Sequence, residues 1–226
     1  MIYVTGDTHI PIDISKLNAT NFPEQKEMTK DDHLIICGDF GAIWDNGNED
    51  LYWQDWLNTR NFTTLFVDGN HENFPLLYEY PVIDYKGGKV HQIRDSVYHL
   101  MRGEIFTIED YKFFAMGGAS SHDKEWRKEG VSWWPQEVPS VKELKNALIN
   151  LTANDWSVDY IISHCCADSI QHMLSPDYEY DRLTKFFEET IKADCNYTRW
   201  FFGHYHDDVE IDDKHTCIYY NVLRIV

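Results

Sequence analysis

The sequence predicts an α/β protein in which two β-sheets pack against each other with helices on the outside. Three observations predict it: short apolar runs that each end in glycine, a carboxylate or histidine; helical patterns between them; and a central stretch of strands alone. Near-continuous apolar runs suit strands covered on both faces. Strand–helix alternation joined to a strand-only stretch points to two packed sheets. With 226 residues, 43% of them hydrophobic and 15% aromatic, the chain can bury a sizeable core. No repeat, low-complexity tract or linker divides it, so residues 1–226 are expected to form a single domain.

The elements follow in order. Residues 2–5 form a first strand running into Gly6-Asp7-Thr8-His9, and residues 33–37 a second ending in Gly38-Asp39. Residues 63–67 form a third, ending in Asp68-Gly69-Asn70-His71; residues 159–163 lead into His164; residues 198–202 lead into Gly203-His204-Tyr205-His206. Between them, residues 49–60 place Leu51, Trp53, Trp56 and Leu57 at near-helical spacing. Ser140 with Glu143 three residues on reads as a capping box opening a helix to residue 151, carrying Leu144, Leu148 and Leu151. Residues 179–192 make a third helix on Leu183, Phe186, Phe187 and Ile191. Segments 89–93, 97–101, 104–108 and 111–116 read as a meander, and the tail, 208–226, as two further strands.

Composition narrows the function. Lys plus Arg number 20 and Asp plus Glu 38, a formal charge of −18. Such a surface repels polyanions, which disfavours nucleic-acid binding beyond nucleotides or short oligonucleotides. No apolar run approaches the roughly 18 residues of a membrane span, and the N-terminus has no signal-peptide pattern. Five cysteines without a CxxC pair argue against disulfides or a zinc ribbon, so a cytoplasmic setting is expected. The adjacent Cys165 and Cys166 read as small core residues, and His33, His91, His99, His172 and His215 as structural or surface residues.

The chemistry lies at the strand ends, where ligands of open α/β sheets collect. A single strand-end aspartate is more often a helix cap, and a single histidine more often a satisfied polar residue. The ordered series Asp-x-His, Gly-Asp, Gly-Asn-His, His, Gly-His-x-His is far harder to obtain by chance. Imidazole and carboxylate together suit manganese, iron or zinc. If the backbone stays β-like through Asp7-Thr8-His9 and His204-Tyr205-His206, alternation sends both potential ligands of each motif to one side. The preceding glycines mark places where backbone approaches too closely for a Cβ.

These motifs, from Asp7 to His206, resemble the calcineurin-like metallophosphoesterases. The resemblance implies two divalent metal ions, manganese first, with iron or zinc as alternatives. Asp7, His9 and His206 would hold one, Asn70, His164 and His204 the other, and Asp39 would bridge them. His71 would contact phosphate and the leaving group as general acid. The implied reaction is hydrolysis of a phosphate ester by a metal-bridging hydroxide, with a net charge of about +1 left to meet the phosphate.

Within that class, Gly69-Asn70-His71-Glu72 is similar to the protein Ser/Thr phosphatase branch. Phe40-Gly41-Ala42 stands where that branch carries Asp-Arg-Gly, so the phosphate-gripping arginine of that loop is missing. Arg127, on a loop with His122, Lys124, Trp126, Trp133 and Trp134, is the candidate replacement. The tryptophans either pack this loop on the core or stack a nucleobase. The expected activity is therefore that of a phosphomonoesterase on a small phosphorylated substrate, including phosphoprotein-type esters. A phosphodiesterase on nucleotides or cyclic phosphates is the alternative, and a non-catalytic metal-binding scaffold a third reading from another class.

Overall fold

A computed structural model describes residues 1–226 and contains both sheets, of seven and six strands. The first contains β1 (Ile2–Thr5), β2 (His33–Cys37), β3 (Thr63–Val67), β4 (Val82–Tyr85), β5 (Gly88–Arg94) and β6 (Val97–Leu100), in the order β13-β1-β2-β3-β6-β5-β4. The second contains β7 (Glu104–Ile108), β8 (Tyr111–Met116), β9 (Tyr160–Ser163), β10 (Arg199–Phe202), β11 (Val209–Glu210) and β12 (His215–Cys217), in the order β11-β12-β10-β9-β8-β7. The last strand, β13 (Val222–Arg224), returns to pair antiparallel with β1. β1, β2 and β3 are parallel neighbours, as are β9 and β10, so their carboxyl ends point the same way within each sheet.

Alternate residues of each strand face opposite layers. Ile2, Val4, Ile35, Leu65 and Val67 of the first sheet pack with Phe106, Phe113, Ala115, Ile162 and Phe201 of the second, forming the layer between the sheets. Tyr3, Leu34, Ile36 and Phe66 face outward onto Phe22, Phe62 and Leu57, the last from α1 (Asn48–Asn58). Phe114, Met116, Ile161, Trp200 and Phe202 face α3 (Val141–Ala153), α4 (Asp168–Leu174) and α5 (Arg182–Phe186) through Ala147, Leu151, Ile170 and Leu183. The short α2 (Phe74–Leu77) follows β3.

The capping box forms as expected: Ser140 accepts from the Glu143 amide, and the Glu143 carboxylate accepts from the Ser140 amide. All five cysteines are free and buried. Four details differ from the sequence reading. The central meander is split, with β5–β6 in the first sheet and β7–β8 in the second. The reason is edge pairing: β6 finds β3 (Leu65↔Tyr98) and β8 finds β9 (Phe114↔Ile161). Gly103, at φ 77°, makes the crossing against the α3 backbone, where a Cβ would meet Ala147. The third helix starts at Arg182, after the Asp181 cap, and widens into a π-helical stretch at Phe187–Lys192. The tail holds three short strands, and β4 and α4 were not anticipated.

Candidate metal centre

The five parallel strand ends meet at one place. Asp7, Asp39 and Asn70 come from the first sheet, and His164, His204 and His206 from the second. Donor atoms of Asp7, His9 and His206 lie within 4.8 Å of one another; so do those of Asp7, Asp39 and His164, and those of His9, Asp39 and His71. The seam is tight: His164 Nε2 lies 3.3 Å from Asp39 Oδ1, and His206 Nε2 lies 3.3 Å from Asp7 Oδ2. His164 Nε2 is 3.2 Å from Asn70 Oδ1. His204 belongs to none of the three groups, but its ring centroid is 4.9 Å from that of His164.

Glycine is demanded here by close approach. A Cβ at Gly69 would overlap Asp39 Oδ1, and one at Gly203 would overlap Asp7 Oδ1. The β-like backbone expected through the two histidine motifs is replaced by left-handed turns: φ is 34° at His9, 69° at His204 and 52° at His206, with 45° at Asp39. The strands end before the ligands, and backbone bonds force the bend. The amides of Thr8 and His9 both donate to the Asp39 carbonyl, at 3.0 and 2.8 Å, and the His204 amide donates to Asp7 Oδ1 at 3.1 Å. Non-glycine residues in this region carry strain that the surroundings must offset, a condition common at functional sites.

The electrostatics ask for positive charge. Asp7 and Asp39 are 0% and 1% exposed, and no lysine or arginine pairs with either side chain. Burial opposes charge on His164, but Asp39 and Asp7 outweigh it and hold that imidazole protonated up to about 10. Burial also opposes charge on Asp39, yet His164, His9 and His71 hold its carboxyl well below the usual range. Burial and the neighbouring His164 push His204 the other way, well below the usual imidazole value. Two buried carboxylates gathered with four imidazoles and a carboxamide, with His206 on the exposed side and protons as the only balancing charge, fit divalent cations.

Around this set lie groups the motifs did not mark. Asp13 Oδ2 is 2.8 Å from His9 Nδ1 and accepts from the Tyr219 hydroxyl at 2.9 Å, leaving His9 Nε2 directed at Asp39. Tyr219 also stacks on His206, with centroids 4.6 Å apart. Asn70 Nδ2 donates to Ser121 Oγ at 3.3 Å, and Ser121 donates to the buried Glu137. The only prior signal was the spacing of Asp13, four residues after His9; Tyr219 and Glu137 carried none. Arg127 is brought in: its Nη2 donates to His71 Nε2 at 3.1 Å and its Nε to Asp123 at 2.7 Å. Of the loop tryptophans, Trp134 is buried edge-on to Trp44, whereas Trp126 is 84% exposed.

Fold and centre together define a two-sheet α/β protein with a histidine–carboxylate site at the carboxyl ends of its strands. The chain belongs to the calcineurin-like phosphoesterase family, whose model matches residues 1–208. A solved structure described as a putative 5'-nucleotidase from Staphylococcus aureus in complex with alpha-ketoglutarate is similar over 96% of this chain, at 17% identity and a TM-score of 0.48. The chain spans 48% of that protein's length. No curated protein matches the sequence. No helix is long and apolar enough to cross a membrane.

Proposed function

We propose that the chain is a metal-dependent phosphoesterase acting on small phosphomonoesters. The observation that carries this reading is the pair of sealed carboxylates, Asp7 and Asp39, ringed by imidazoles and without a lysine or arginine partner. Asp7, His9 and His206 would hold one cation and Asn70, His164 and His204 the other, with Asp39 as a ligand shared between them. When bound, two divalent cations supply Lewis acidity toward phosphoryl oxygens and lower the pKa of water toward about 7.

The chain's own groups do the rest. Arg127 is a donor only, so its bond to His71 Nε2 leaves that nitrogen without a proton in this state. An arriving phosphate offers Arg127 a charged, bidentate acceptor and takes that bond over. His71 Nε2 is then free to take up a proton from water and pass it to the leaving oxygen, contributing about 10²–10⁴-fold. His71 is held in place because its amide donates to Asp39 Oδ1 at 2.8 Å. Ser121 and Glu137 fix the Asn70 carboxamide, with its oxygen toward His164.

A second reading, a phosphodiesterase acting on nucleotides, rests on Trp126, whose exposed ring adjoins Arg127 and offers a stacking face for a base. Chelator-stripped protein assayed on p-nitrophenyl phosphate and on its bis ester, with Mn²⁺, Zn²⁺ or no metal, tests both. Metal-dependent turnover that Asp39→Asn abolishes is the expected result, with the monoester preferred. Preference for the bis ester selects the second reading. Bound metal without turnover of either ester would leave the scaffold, and absence of metal binding would refute the assignment.

A further inference from the structure

A separate cavity of about 1030 Å³ lies between α3 and the β5–β6 hairpin, and none of the candidate ligands lines it. Beneath it, buried groups bond in series. Asp68 Oδ1 lies 2.9 Å from His99 Nε2, and His99 Nδ1 lies 2.9 Å from His91 Nδ1. Arg102, itself buried, pins the Asp68 carboxylate from the other side. A carboxylate only accepts, so His99 carries its proton at Nε2 and offers a bare Nδ1. With His99 neutral, His91 carries its proton at Nδ1, which leaves Nε2 as a lone pair.

That nitrogen makes no hydrogen bond within the chain, and it is not among the side-chain atoms sealed without a partner. His91 lines the cavity, so the lone pair opens there, on a residue only 4% exposed. Burial pushes its pKa down to about 4, so the ring is neutral at physiological pH. Tyr78 lies nearly parallel to it at 5.8 Å and fixes its plane. Buried acceptors are normally matched by donors. Among the lining residues, Lys142 and Lys145 have no ion-pair partner, and Lys89 pairs with the exposed Asp84 at 3.2 Å. The acidic groups there are engaged: Glu143 in the capping box, Glu104 with Asn146 and the Lys89 amide.

We infer that this cavity is a second binding site, distinct from the metal centre, for a small anion that bears an O–H. The lysines meet the charge, and His91 Nε2 accepts from the O–H. Inorganic phosphate and sulfate are the discriminating probes, alike in shape, because near neutral pH only phosphate brings a proton to donate.

The test follows the His91 imidazole by ¹⁵N NMR in zinc-loaded protein as each anion is added at matched ionic strength. Phosphate is expected to move the Nε2 resonance and saturate in the millimolar range. Sulfate is expected to bind about tenfold more weakly, the worth of one hydrogen bond. Lys142→Gln combined with Lys145→Gln is expected to weaken phosphate about tenfold while leaving p-nitrophenyl phosphate turnover unchanged. Because the readout uses the unsubstituted protein, it does not depend on a His91 variant folding. A His91 resonance unmoved by tens of millimolar phosphate, or moved equally by sulfate, overturns the inference.

Discussion

Asp13 makes the sharpest quantitative case, because its carboxylate touches the centre only through His9. The 2.8 Å contact with Nδ1 fixes the tautomer that leaves Nε2 free, and Tyr219 holds the carboxylate in turn. Asp13→Ala removes one hydrogen bond to a charged group, worth about 1.5–3 kcal/mol. That corresponds to about 10–100-fold in cation affinity, the range seen when the outer partner of a histidine ligand is lost. Tyr219→Phe keeps the stack on His206 and removes only a bond to Asp13, so about fivefold is expected. The double variant should be no worse than Asp13→Ala, since the phenol acts through the carboxylate. The assay is a Mn²⁺ titration of stripped protein, read by p-nitrophenyl phosphate turnover. The Mn²⁺ midpoint should rise while kcat at saturating metal changes little. A midpoint unchanged in Asp13→Ala would refute the reasoning, as would a loss of kcat that excess metal does not restore.

Three further outcomes are expected. His71→Gln should lower kcat about 10²–10⁴-fold on an alkyl phosphate but far less on p-nitrophenyl phosphate, whose leaving group needs no proton; equal losses on both would count against an acid role. Ser140→Ala should cost about 1 kcal/mol through the broken capping box, lowering Tm by about 2–4 °C in calorimetry without touching turnover. Burial, with Lys86 nearby, holds His33 down at about 4, so the unfolded chain binds the extra proton below the ordinary imidazole value of about 6.5. Stability from His33 is thus complete above that value and is lost as pH falls toward 4. This amounts to about 2 kcal/mol between neutrality and about pH 5, and urea unfolding of His33→Gln should show a correspondingly flatter pH dependence.

The strands were legible because they are buried on both faces, so each appears as an unbroken apolar run such as His33–Cys37 or Thr63–Val67. β4 escaped because it is an edge strand with Val82 half exposed, and its alternation is weak. α4 is seven residues long with only Ile170 and Gln171 buried, too short for a period to emerge. The sheet to which each half of the meander belongs is decided by pairing with β3 and β9, partners that lie far away in sequence. The candidate centre was legible from its order of ligand types. Its left-handed backbone was not, because histidine and aspartate have no strong preference for positive φ. Arg127 could be nominated from composition, but its approach to His71 depends on how a long loop folds back. Asp13 and Tyr219 meet across 206 residues, a contact no local pattern encodes.

The centre takes four of its candidate ligands from the strand ends of one sheet and three from those of the other, beside an inter-sheet layer of apolar contacts. Cations bound there would act as rivets between two layers, turning binding energy into cohesion of the whole sandwich. Without them, Asp7 and Asp39 lie sealed among imidazoles, and the strand ends are where the layers have most reason to part. Metal supply would then govern how long each copy of the protein survives as well as how fast it turns over.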